Sequence, residues 1–139
     1  MTEAEFDGAA QTDAIRKAVT RYATAWLAGD RAEMAACYHD EFTLHYAGQN
    51  PLSGVHRGKP AAFAALAEIA RRANRKLLTI DDVMAGPHRG AILARESFSR
   101  DGRTAEVERL LVYAIKDHLL SDCWVYDRDQ AIVDAFFAD

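Results

Sequence analysis

The stretch AILARESFSRDGRTAEVERLLVYAI, residues 91–115, decides the fold. On both sides of Asp101-Gly102 the apolar side chains recur at every second position, the period of a strand with one face buried. Asp-Gly favours a two-residue turn whose residues both take positive φ, so the spacing predicts a hairpin of Ala91–Ser99 and Thr104–Ile115. The same period extends outward to Lys76–Val83 and Leu119–Tyr126, with breaks at Gly86-Pro87 and Lys116-Asp117. Four long strands are therefore expected after Arg75.

Upstream, the period is helical. Ile15, Val19, Tyr22 and Trp26 fall on one stripe, with Thr12 or Asp13 as the expected N-cap and Gly29 as the stop. Asp30 with Glu33 resembles a capping box and opens a second helix whose inner face carries Met34, Cys37 and Tyr38. Phe42 to Tyr46 alternates as a strand, and the Gly48 to Gly58 region reads as a loop. Pro60 suits the first turn of a third helix that buries Phe63, Leu66, Ile69 and Ala70 and ends near Arg72 to Asn74. Asp129 can cap a short last helix bearing Ile132, Val133, Phe136 and Phe137. Helices followed by long antiparallel strands give an α+β class, with the helices on one face of one sheet.

The 139 residues fit one domain, expected at residues 12–139 behind a flexible, acidic start at residues 1–11. Half of the residues are apolar and 27% are charged, the balance of a chain that folds by itself. A net charge of -4, with Arg and Lys interspersed among Asp and Glu, offers no basic stripe to nucleic acid. No apolar run reaches the ~20 residues of a membrane span, and the start lacks the pattern of a signal peptide. Cys37 and Cys123 sit singly inside regular segments and read as buried thiols in a reducing compartment, so a cytoplasmic location is expected. His39, His56, His88 and His118 stand at element ends or in loops without metal spacing, so no metal is expected.

Val19-Thr20-Arg21-Tyr22, Ala28-Gly29-Asp30, Ala47 to Gly54 and His56-Arg57-Gly58 resemble the opening half of SnoaL-like proteins. Trp124-Val125-Tyr126-Asp127, Asp129-Gln130 and Val133 to Phe137 resemble their ending. The resemblance implies the cone of the nuclear transport factor 2 and ketosteroid isomerase superfamily, a curved antiparallel sheet wrapped on three N-terminal helices. It does not imply one reaction, because members include isomerases, polyketide cyclases, epoxide hydrolases, dehydratases and proteins without catalysis.

Against ketosteroid isomerase, Tyr22 falls at the oxyanion tyrosine, but Tyr46 stands where the base would be and Leu111 where the protonated aspartic acid would be. Steroid isomerisation is therefore not expected. The arginine-to-aspartate spacing of limonene epoxide hydrolases is missing as well, since Arg95 is followed by Glu96 and Ser97. Of the acidic residue that polyketide cyclases use after the tryptophan of their last strand, Asp127 is the nearest candidate.

The resemblance turns Ala94, Glu96 and Phe98 inward on one strand, then Val107, Arg109, Leu111 and Tyr113, then Ser121, Cys123, Val125 and Asp127. With a two-residue turn at Asp101-Gly102, Glu96 opposes Val107 and Ala94 opposes Arg109, so Glu96 and Arg109 become diagonal neighbours. Two readings follow. In one, Asp127 or Glu96 is an acid or base in an apolar cone while Arg109 and Tyr22 bind an oxygen gaining negative charge. In the other, Glu96 and Arg109 form a structural ion pair and Asp127 ends its strand in water.

Trp26, Tyr46, Phe63, Phe98, Leu111, Tyr113, Cys123 and Val125 are the expected substrate-binding wall, for a small hydrophobic molecule. His45 has the opposite parity and belongs outside. Leu110, Val112, Asp122, Trp124 and Tyr126 form an outer face apolar enough to imply a homodimer. The functional expectation is a cofactor-independent cyclase, isomerase, dehydratase or hydrolase acting on a polyketide- or terpenoid-like substrate. The alternative is a ligand-binding or dimerisation domain without turnover.

Overall fold

The computed structural model describes residues 7–139. Helix α1 spans Gly8–Ala28, α2 Arg31–Ala36, α3 Lys59–Ala73 and α4 Gln130–Phe137. The strands are β1 Tyr38–Tyr46, β2 Gly54–His56, β3 Lys76–Ala85, β4 Gly90–Arg100, β5 Arg103–Lys116 and β6 Leu119–Asp127. They form one curved sheet in the order β2-β1-β6-β5-β4-β3, whose β1–β6 pair is parallel and whose other pairs are antiparallel. This is the α+β fold expected, with α1 and α3 packed on the inner side of the sheet.

The hairpin falls where the sequence puts it. Arg100 pairs with Arg103, Asp101 and Gly102 take φ of 52° and 77°, and Glu96 opposes Val107 while Ala94 opposes Arg109. Asp30, Asp129 and Gly29 cap as expected. The two aspartates accept from Glu33 N and Ile132 N, and Gly29 closes α1 in the left-handed conformation.

Several local expectations need correction. Helix α1 is capped by Asp7, not by Thr12 or Asp13, and Asp7 accepts from Ala10 N. Thr12 is spent inside the helix, its hydroxyl donating to Gly8 O at 2.6 Å. Gly8 to Gln11 are thus helical, while the rest of the expected flexible start, residues 1–6, lies outside the described residues. Cys37 ends α2 and Tyr38 already opens β1, both buried. The Gly48–Gly58 segment contains the three-residue strand β2. Of the four side chains expected to be buried on α3, Ile69 is, Phe63 and Leu66 are half-buried and Ala70 is exposed, while Ala62, Ala65 and Ala73 are buried as well. Small residues let this helix lie close to its neighbours, which tilts Phe63 and Leu66 toward the interior of the cone.

One glycine sets the approach of α1. A Cβ on Gly90 would lie 2.6 Å from Val19 Cγ2 and 2.9 Å from Ile15 Cγ2, so only a bare backbone lets α1 seat on the first turn of β4. At the far end, Val133, Phe136 and Phe137 of α4 are buried, with Phe137 edge-on to Phe98 and Tyr46. Burying such a side chain contributes about 1.5–3 kcal/mol. Helix α4 therefore closes one end of the sheet and leaves the other open.

Candidate functional site

Between the inner face of the sheet and helices α1, α2 and α3 lies a cavity of about 280 Å³. Strand alternation supplies Phe42, Leu44 and Tyr46 from β1, Leu111 and Tyr113 from β5, and Cys123 and Val125 from β6. The helices add Tyr22, Trp26, Met34, Phe63, Leu66 and Ile69. The wall is thus mostly apolar and aromatic, and its polar groups are few.

The polar groups gather at two places. On the floor, the Tyr38 hydroxyl donates to the Tyr22 hydroxyl at 2.7 Å, and both rings are nearly or fully out of solvent. Tyr113 packs against Tyr22, with centroids 5.9 Å apart. Burial pushes Tyr22 up to about 12 and Cys123 up to about 12, and it raises Tyr38 and Tyr113 well above the ordinary phenol. These hydroxyls are donors at neutral pH, not bases.

The second place is centred on Arg109, whose side chain is 1% exposed. Its Nε donates to Asp127 Oδ1 at 2.6 Å and its Nη2 to Asp127 Oδ2 at 3.2 Å. Nη1 donates to Glu96 Oε2 at 3.3 Å, and Nη2 also donates to the Tyr46 hydroxyl at 2.6 Å. Glu96 Oε1 lies 3.3 Å from Arg75 Nε, an ion pair without hydrogen-bond geometry, since that oxygen has no donor among the described residues. Register explains the grouping: Arg109 stands directly opposite Asp127 on β6 and one step from Glu96 on β4. Burial raises the Asp127 carboxyl, and Arg109 opposes that without cancelling it. Burial likewise raises Tyr46, with Arg109 pulling the other way.

The sequence-derived residues separate cleanly. Tyr22, Trp26, Tyr46, Phe63, Arg109, Leu111, Tyr113, Cys123 and Val125 line the cavity. Glu96, Asp127 and Phe98 do not. The two acids lie behind Arg109, with side chains 1% and 2% exposed, so Asp127 does not end its strand in water. Phe98 packs on Phe136 and Phe137 under the Arg109 guanidinium. Arg75, Arg31, Tyr38, Phe42 and Leu44 also line the cavity, beyond the wall expected from the sequence. Parity could have found Phe42 and Leu44, which share a face with Tyr46. Arg75 stands at the helix-to-strand switch, where neither period assigns a direction.

Outside the sheet, His45 Nε2 is 2.8 Å from Asp122 Oδ2, and the His45 ring stacks on Trp124 at 4.6 Å. Arg89 covers the Trp124 ring at 4.8 Å. His45 is therefore remote from the cavity, as its parity predicts.

The sequence pattern of the SnoaL-like domain family matches residues 19–122. The chain belongs to the SnoaL-like family. An uncharacterized protein of Mycobacterium tuberculosis is 26% identical to this SnoaL-like chain over 129 residues, covering 91% of it and 98% of the relative. Among solved structures, Bal32a from a soil-derived mobile gene cassette has the same fold, with a TM-score of 0.81 at 20% identity over 91% of this chain and 98% of that one. A Xanthomonas campestris protein with a cystatin-like fold gives 0.80 at 25% identity over 88% and 97%. No described helix of the SnoaL-like chain is long and apolar enough to cross a membrane.

Proposed function

We propose that this SnoaL-like protein binds a small hydrophobic molecule bearing an oxygen, and activates it by acid-base chemistry at the Arg109 end of the cavity. The observation that carries the reading is the Arg109 to Tyr46 hydrogen bond at 2.6 Å inside an apolar wall. Because Arg109 donates to the phenol oxygen, the Tyr46 hydrogen is left to point at a ligand. An N–H donor on that oxygen also stabilises the phenolate that forms if the proton is given up. Tyr46 is then the general acid, Tyr22 a second donor on the floor, and Arg109 the cation that stabilises developing charge. Asp127 and Glu96, held behind the guanidinium, are positioning residues that fix its plane.

A protein that binds without turnover is the second reading. It is favoured by one observation: among the described residues no carboxyl or imidazole group lines the cavity, so none of those lining groups is a ready base at neutral pH.

The cavity itself is tested with naphthalenemethanol by titration calorimetry. Ala67 is exposed on α3 and borders the cavity, so Ala67→Trp should block binding while leaving the unfolding midpoint nearly unchanged. Unaltered binding in that variant, or none in the parent chain, would contradict the reading. A screen of oxygen-bearing aromatic compounds for turnover separates the two readings. An enzyme converts one of them at a rate that Tyr46→Phe lowers, and a binder converts none.

We also infer a homodimer through Leu110, Val112, Asp122, Trp124 and Tyr126 of the outer sheet face, in a reducing cytoplasm suited to the free Cys37 and Cys123. Tyr126 is 52% exposed there, beside the His45–Trp124 stack. Light scattering on Tyr126→Glu should return half the mass of the parent chain. An equal mass for both would count against this interface.

A further inference from the structure

The cavity wall has an uneven charge. Among the described residues, Arg31, Arg75 and Arg109 line it, and no Asp or Glu does. The acids that accompany Arg75 and Arg109, namely Glu96 and Asp127, are buried against those guanidinium groups and do not line the cavity. A molecule inside the cone therefore meets the cations first.

Two of these arginines retain donors. A guanidinium has five N–H groups. Arg109 commits four of them, to Asp127 twice, to Glu96 and to Tyr46, and one N–H on Nη1 remains. Arg75 touches Glu96 only through Nε, and among the described residues its two terminal amino groups have no protein acceptor. Its side chain is 22% exposed, so those groups meet the cavity and not bulk water alone. Its charge also reaches the interior, where it pulls against the burial that raises Tyr22, Tyr38 and Tyr46. An oxyanion placed there would receive charge-assisted hydrogen bonds inside a wall that excludes water, where they are strongest.

We infer that the ligand of this cavity is an amphiphile with a carboxylate at one end, held by the terminal amino groups of Arg75 and the remaining N–H of Arg109. Its body is apolar or aromatic and lies against Phe42, Leu44, Phe63 and Leu111. The inference rests on the cone being the ligand site, and it adds the chemical class of the ligand. It assigns Arg75 as the residue that sets specificity, with Tyr46 donating to the same carboxylate or to an oxygen beside it.

Titration calorimetry with naphthoate and naphthalenemethanol, which differ at one end alone, tests the point. The parent chain should bind naphthoate at least about tenfold more tightly than the alcohol. Arg75→Met should remove that preference, bringing the two affinities together, and Arg75→Lys, which keeps the cation, should retain part of it. Equal affinities in the parent chain, or a preference that survives Arg75→Met, would overturn the carboxylate assignment while leaving the cavity as a ligand site. Should neither compound bind, the cavity reading falls as well, and the alcohol arm separates the two failures.

Discussion

Arg109 and Asp127 face each other across β5 and β6, and the guanidinium holds the carboxylate at two points, 2.6 Å from Nε to Oδ1 and 3.2 Å from Nη2 to Oδ2. With Glu96 on the same arginine and Arg75 3.3 Å from Glu96, the polar end of the cone is one network of two cations and two acids, in which Arg109, Glu96 and Asp127 are buried and Arg75 is partly exposed.

Breaking such a network from one side leaves charges buried without partners, at a cost of about 3–5 kcal/mol, whereas removing every member together costs far less. Arg109→Met should therefore lower stability strongly, and the triple variant Arg109→Met, Glu96→Gln, Asp127→Asn should recover most of the loss. Urea unfolding of the four chains checks this, with Arg109→Lys as the fourth and intermediate case. A triple variant as weak as Arg109→Met would show that the two acids are not what the arginine serves.

The sign of the pH effect follows from Asp127. Its carboxyl is raised above the ordinary 3.8 in the folded chain, so the folded state holds that proton more tightly than the unfolded one. From this group alone, stability falls as pH rises from 3.8 to the folded value and is level above it. From about pH 4 to about pH 6 the unfolding midpoint of the parent chain should fall with rising pH relative to that of Asp127→Asn. Parallel profiles would contradict the shift.

Tyr22, Tyr38, Tyr46 and Tyr113 are all raised by burial, four of the five tyrosines in the chain. Phenolate absorbance at about pH 10, the ordinary midpoint of a tyrosine, should thus fall well short of half-ionisation of all five. Full normal titration with the fold intact would mean that the floor of the cone is wet.

The latch between the β1–β2 loop and α4 can be tested at Gly48 and Asp134. Asp134 Oδ1 accepts from Gln49 N, from Asn50 Nδ2 at 2.7 Å and from Gln130 Nε2. A Cβ on Gly48, whose φ is 96°, would fall 2.3 Å from that oxygen and 2.2 Å from Gln130 Nε2. Gly48→Ala should cost about 1–3 kcal/mol in thermal or urea unfolding. A neutral substitution would mean that the loop is not held against α4.

Much of the fold could be read from the sequence because the long elements state their periods without conflict, whereas the three-residue β2 is too short to show one. The Asp101-Gly102 turn fixes the register that brings Glu96 beside Arg109, and strand parity then sends Tyr46, Leu111 and Val125 inward and His45 outward. Depth is a different matter. Parity gives Glu96 and Asp127 the inner side of the sheet but not their place behind Arg109, which depends on how α4 closes that end with Phe136 and Phe137. Arg75 was illegible for the opposite reason. It belongs to no periodic run, and only the left-handed turn at Asn74 between α3 and β3 aims it at the cavity.

The central claim is that the apolar hollow between the sheet and α1, α2 and α3 is where a ligand goes. Methyl-labelled protein titrated with naphthalenemethanol and followed by NMR measures this directly. Signals of Leu44, Leu66, Ile69, Leu111 and Val125 should shift together and saturably, while Leu110 and Val112 on the outer face stay put. Shifts confined to the outer face, or none at all, would contradict it.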